Sequence, residues 1–107
     1  MDATDSPLGQ VRREIDTIDA ELVRLLAARE QLVRRAGALK TDEQAVRAPG
    51  RVEQVIDKVR ALAGEAGASP DVVERVYRAM ISAFIDLELT QHRSGPGPGP
   101  GNRPPAG

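Results

Sequence analysis

Val11, Ile15, Ile18, Leu22 and Leu25, then Leu32, Ala36 and Leu39, follow one another by alternating steps of four and three. Such steps keep returning to one side of an α-helix, so the pattern predicts a long helix with a single stripe made for burial. The position that continues the repeat between Leu25 and Leu32 is Arg29, a guanidinium where carbon is expected. Pro7 or Leu8 opens the helix, and Asp5 or Ser6 is suited to cap it. Only Gly37 interrupts it before Lys40, at about 1 kcal/mol relative to alanine. The predicted helix of about 33 residues measures roughly 50 Å at 1.5 Å per residue. A compact globule of this chain length has a radius of gyration of about 13 Å. The helix therefore overhangs its own domain, and the expectation is an intertwined homodimer.

A polar connector follows, TDEQAVRAPG, with Pro49-Gly50 as a breaker. Val52, Val55, Ile56, Val59, Leu62, Ala63 and Ala66 share one face of a second helix over residues 50–66, with Gly67 placed to end it. Ser69-Pro70-Asp71 supplies a cap, a first-turn proline and an early carboxylate for a third helix running to about Arg93. Its stripe is Val73, Val76, Tyr77, Met80, Ile81, Phe84 and Leu87. No stretch alternates as a strand would. The fold class predicted is all-α: three helices (long, short, medium) forming an intertwined helical homodimer over residues 7–93. Residues 1–6 and the Gly/Pro-rich tail 94–107, SGPGPGPGNRPPAG, are expected to be disordered.

At 107 residues the chain supports one domain with a modest core. Fifteen Lys and Arg against 16 Asp and Glu leave a formal charge of −1, which argues against a nucleic-acid partner. Tyr77 and Phe84 are too few aromatics for a platform that stacks bases. Without cysteine there is no disulfide and no thiolate metal site. His92 cannot build a metal site by itself and reads as a solvated residue near a helix end. No metal and no cofactor are expected. The opening MDATDSPLGQ lacks the apolar core of a signal peptide, and no apolar run approaches the roughly 18 residues of a membrane span. The expectation is a cytoplasmic protein with no membrane partner.

Several polar groups stand where packing favours carbon. Lys40 follows Arg29 by 11 residues, about 20° apart around the axis and roughly 16 Å along it, so both project from one face. Arg12 lies about 100° from Arg29 around the same helix, so one rigid helix cannot aim it at the face that Arg29 and Lys40 share, although in a dimer it could reach that face of the partner. Glu88 follows Phe84, Ile81 and Tyr77 by 4, 7 and 11 residues and so falls on the apolar stripe of the third helix, where an unpartnered carboxylate is expensive. Each has a purely structural reading. Arg29 can snorkel or set register, and Lys40 suits a helix C-terminus. Arg12 beside Arg13 can be a solvated pair, Glu88 a core ion-pair partner of Arg29, and Arg51 an ordinary first-turn residue. Taken together, cations and one carboxylate at core and junction positions suit a small dicarboxylate, which guanidinium groups bind in a forked manner.

The segments VRREIDTIDAELVRLLAAREQLV, GALK, VRAPGRV and MISAFIDLEL carry a resemblance to the all-helical chorismate mutases, over about residues 7 to 92. The resemblance implies an intertwined dimer with two active sites, each built from both subunits. It implies that Arg29 grips one substrate carboxylate and Arg12 of the partner subunit the other. Lys40 would donate to the ether oxygen of the breaking bond, with Arg51 supporting the site. Glu88 stands where many members have a glutamine that contacts the same oxygen, and it must carry a proton to donate there. Val52 and Phe84 complete the substrate-binding set. The rearrangement of chorismate to prephenate is pericyclic and needs neither nucleophile nor metal, only a folded substrate and fixed charge at the ether oxygen.

Two junction positions depart from the pattern. Ala48 and Val52 stand where chorismate-specific members often carry acids, and the glutamate at the Val52 position recognises the ring 4-hydroxyl. Apolar residues there resemble two specialised relatives, the isochorismate-pyruvate lyases and the 4-amino-4-deoxychorismate mutases. The chain is thus expected to rearrange chorismate or its 4-amino analogue. A lyase yielding salicylate and pyruvate, and a non-catalytic helical dimerisation module, are the competing readings.

Overall fold

The computed structural model describes residues 6–94, and among these residues there is no strand. Four helices follow one another: α1 (Pro7–Leu39), α2 (Glu43–Arg47), α3 (Pro49–Ala66) and α4 (Pro70–Ser94). The described chain divides into two compact units between Leu32 and Val33. The disorder expected of residues 1–6 and 94–107 falls, apart from Ser6 and Ser94, outside the described residues.

In the N-terminal unit the described chain is the larger part of α1. Ser6 caps it, its Oγ accepting from Gly9 N at 2.9 Å and its carbonyl from Gln10 N at 2.9 Å. Pro7 then takes the first helical position, where a missing N–H removes nothing the helix uses. The stripe Val11, Ile15, Ile18, Leu22 and Leu25 is continuous, yet these side chains are between 49% and 59% exposed. No residue of this unit is buried among those described.

The C-terminal unit begins with the last turns of α1 and holds all of the buried residues among those described. Its apolar core is Val46 from α2, Ile56, Val59 and Ala63 from α3, and Leu89 from α4. Ion pairs order the α3–α4 hairpin. Arg60 reaches Asp71 at 3.0 Å and Glu74 at 2.8 Å, and Arg78 reaches Glu74 at 2.7 Å and both oxygens of Glu53 at 3.0 Å. Residue numbers fall along α3 as they rise along α4, so the two helices run antiparallel. Leu62 and Val76, which the periodicity assigns to buried stripes, are exposed. An apolar helical stripe is at least 100° wide, and a single neighbouring helix does not cover all of it.

The caps follow the residue types. Gly67, at φ 79°, ends α3 in a Schellman turn: Ala68 N donates to Ala63 O at 2.8 Å and Gly67 N to Gly64 O at 3.3 Å. Ser69 Oγ then accepts from Val72 N at 3.3 Å, and Pro70 opens α4.

The connector differs from its sequence reading in two ways. It contains α2, one turn capped by Asp42, whose side chain accepts from Ala45 N at 2.8 Å. Val46 anchors that turn in the core, and Arg93 pairs with Glu43 at 3.5 Å. The second difference concerns the break, which lies at Ala48 and not at Pro49-Gly50. Ala48 takes φ 34° and ψ 63°, and Pro49 and Gly50 form the first turn of α3. A proline at that position loses no helical hydrogen bond, so it opens α3 where a breaker was expected. No described helix is long and apolar enough to cross a membrane.

Candidate active site

Every contact of the site lies within the C-terminal unit, where the last turn of α1 meets the last turns of α4. Glu88, Gln91 and His92 are spaced i, i+3 and i+4 on α4 and therefore share a face. Opposite them stand Gly37 and Lys40. Lys40 Nζ donates to Glu88 Oε2 at 2.8 Å, with 27% of the lysine side chain and 7% of the glutamate side chain exposed. Removing one member of such a pair strands the other charge away from water, which costs about 3–5 kcal/mol when the pair is fully buried. Lys40 is the more open partner. Its ammonium carries three donors, of which the carboxylate takes one.

His92 is half-buried, and its Nε2 lies 2.9 Å from Gly37 O. This corrects the reading of His92 as a solvated helix-end residue. A carbonyl oxygen only accepts, so the ring nitrogen facing it carries the proton. Gln91 Oε1 is buried with no hydrogen-bond partner. Gly37 is buried beneath these side chains.

Of the residues singled out in the sequence, the structure brings Lys40 and Glu88 together. The carboxylate proposed as a core partner for Arg29 has Lys40 at its oxygen. Arg12 and Arg29 lie on α1 in the N-terminal unit, the first exposed and the second half-buried. On α3, Arg51 is exposed and Val52 half-buried in the first turn; on α4, Phe84 is half-buried one turn before Glu88. Gln91 was not singled out in the sequence, Gly37 was read only as an interruption of the helix, and His92 as a solvated residue. Gln91 and His92 follow Glu88 by three and four and so share its face, but the contact of His92 is to a backbone carbonyl.

A lysine and a carboxyl are held together where the end of α1 meets the last turns of α4 in an all-helical chain. The chain belongs to the chorismate mutase type II family, whose profile matches residues 11–89. It is similar, at 35% identity over 85 residues, to the bifunctional chorismate mutase/prephenate dehydratase of Aquifex aeolicus, covering 76% of this chain and 24% of that protein. It is 30% identical over 86 residues to the isochorismate pyruvate lyase of Pseudomonas aeruginosa, covering 80% of this chain and 85% of the lyase. The T-protein of Haemophilus influenzae is 38% identical over 72 residues, which are 66% of this chain and 19% of that protein. The chain thus spans about a quarter or less of two of these relatives and most of the third.

Proposed function

We propose that this protein catalyses the [3,3] rearrangement of chorismate, or of 4-amino-4-deoxychorismate, to prephenate or its amino counterpart. It does so in the cytoplasm as a homodimer whose two sites are shared between subunits. The observation that carries this reading is the 2.8 Å pair between Lys40 and the buried Glu88, a donor and a carboxyl fixed side by side. In the reaction the ether C–O bond breaks as a C–C bond forms, with no net proton transfer, and negative charge grows on the ether oxygen. A lysine already immobilised by Glu88 meets that charge without reorganising, which is where preorganised donors act most strongly. When Glu88 carries a proton it donates to the same oxygen.

Arg29 and Arg12 of the partner subunit grip the two carboxylates and hold the enolpyruvyl arm over the ring, converting a flexible substrate into a near-attack conformer. Arg51 supports the charge balance, and Val52 and Phe84 give the ring apolar contact. The exposed apolar stripe of α1 supports the dimer, because a second copy of the same helix is the self-complementary surface that would cover it.

A second reading is favoured by one observation: the isochorismate pyruvate lyase relative is covered over 85% of its length. Val52, in place of an acid, agrees with a substrate whose hydroxyl lies elsewhere on the ring. Incubating the protein separately with chorismate, 4-amino-4-deoxychorismate and isochorismate decides between them. Substrate loss without pyruvate supports the mutase, and pyruvate with salicylate fluorescence supports the lyase. No turnover of any of the three rejects both and leaves a helical dimerisation module.

A further inference from the structure

One backbone carbonyl joins the two helices that carry the Lys40–Glu88 pair. Gly37 O accepts from Lys40 N at 3.2 Å and from His92 Nε2 at 2.9 Å. The last turn of α1 has no basic side chain of its own. His92 supplies from α4 a donor that a helix C-terminus lacks. The carbonyl it holds is the one that fixes the backbone of Lys40.

The Cα of Gly37 has equally specific neighbours. A Cβ built there would lie 3.2 Å from Glu88 Oε2, 3.3 Å from Glu88 Cγ and 3.5 Å from Gln91 Oε1. The first two are tighter than ordinary carbon contacts, and the second is to the root of the glutamate side chain, so yielding there moves the carboxyl itself. Gln91 Oε1, buried and unpartnered, stands on the same spot. Helix propensity alone argues for alanine at this position, by about 1 kcal/mol. The space, not the backbone, is what glycine provides.

We propose that Gly37 is a positioning residue of this site: its bare Cα is the seat on which the Glu88 carboxyl lies against Lys40 Nζ, and His92 holds that seat through the Gly37 carbonyl. The consequence for turnover rests on the rearrangement reading above; the geometric part does not.

The test uses the full chain labelled with nitrogen-15. The side-chain ammonium resonance of Lys40 is visible only where a buried acceptor slows proton exchange. It is expected in the wild type and lost in Glu88→Leu, which removes the acceptor and so assigns it, and in Gly37→Ala. It should persist in Gly64→Ala, where a Cβ meets nothing within 4 Å. His92→Leu should lose it, and His92→Gln should keep it, because an amide N–H can still donate to Gly37 O; this pair decides the matter if Gly37→Ala does not fold. With chorismate, Gly37→Ala should lower kcat about tenfold, because the Cβ contacts at 3.2 and 3.3 Å make the Glu88 side chain give way against Lys40. KM should change less than about threefold, since the carboxylate grip is untouched.

A wild-type spectrum without the resonance, or one unchanged in both Gly37→Ala and His92→Leu, overturns the proposal whether or not any substrate is consumed. Wild-type inactivity on all three substrates, with the resonance behaving as described, overturns the rearrangement reading and leaves the positioning role standing.

Discussion

The N-terminal unit and the C-terminal unit carry apolar stripes of equal clarity and opposite fate. In the first, Val11, Ile15, Ile18, Leu22 and Leu25 follow a strict repeat, and every one is about half exposed. In the second, Ile56, Val59 and Ala63 follow a comparable spacing and are buried. Period alone does not distinguish a core from a surface, because it records which side of a helix is apolar and not what covers that side. The α1 stripe is therefore apolar without being core. It is too long and too regular to be the scatter of apolar residues every protein surface shows.

The sharpest way to break this comparison sets Leu22 against Leu62, each 50% exposed. If a second copy covers the α1 stripe, Leu22→Glu puts a carboxylate into the middle of a continuous apolar seam. The expected result is dissociation to monomers, with loss of turnover, read by sedimentation velocity. Leu62→Glu, at a position outside that seam, should leave the mass unchanged. Equal masses for Leu22→Glu and the wild type would mean that the stripe is covered in some other way.

Within the C-terminal unit the core is small enough to be tested at one residue. Ile56 is its most buried side chain, at 2% exposure. Ile56→Ala should destabilise by about 2–5 kcal/mol, the range for deleting a buried branched side chain, as measured by urea unfolding. The same replacement at Ile15 in the N-terminal unit, followed as unfolding of the separated monomer, should cost far less. Similar losses at both sites would erase the distinction between the two regions.

Much of this was legible beforehand, and what was not has identifiable causes. The ends of α1, α3 and α4 could be read because Ser6, Gly67 and Ser69 cap by local chemistry that needs no tertiary partner. The pairing of Lys40 with Glu88 was half legible: each residue stood out as polar on an apolar stripe, but their contact joins residues 48 apart. His92 was misread because its partner is a backbone carbonyl on another helix, and no side-chain pattern reveals that. The break at Ala48 was displaced by one residue because Pro49-Gly50 suits a helix start as well as it suits a stop.

Ala48 provides a smaller effect of the opposite sign. It is the one described non-glycine residue at positive φ, 34°, a region that a Cβ disfavours by roughly 1–2 kcal/mol. Ala48→Gly relieves that contact but loosens the unfolded chain, so a net gain of up to about 1 kcal/mol is expected in urea unfolding. Gly50→Ala, inside the first turn of α3, where a Cβ meets nothing within 4 Å, should also stabilise, through helix propensity alone. A loss at Ala48→Gly would show that the left-handed residue is not strained.

The smallest effect belongs to the ion pairs that order α3 against α4. Hydrogen bonds from Arg78 are the leading cause holding the carboxyls of Glu53 and Glu74 below their ordinary value of 4.5, and the same bonds raise the Arg78 guanidinium. A carboxyl whose folded pKa is depressed contributes stability that is fully present above its unfolded value and is lost as pH falls through the folded one. The contribution should therefore be intact above about pH 4.5 and should fade below it. All of these groups are solvent-accessible, so the effect is modest and screened by salt. Melting temperature followed from pH 7 down to pH 3 should fall less steeply in Arg78→Met than in the wild type. Adding salt should bring the two curves together. Glu53 and Glu74 pair with Arg78 and Arg60, so Arg12→Met, on the exposed surface of α1, should leave the acid limb of the curve unchanged. A parallel shift in both variants would mean that acid acts on net charge and not on the pairs that bind the hairpin.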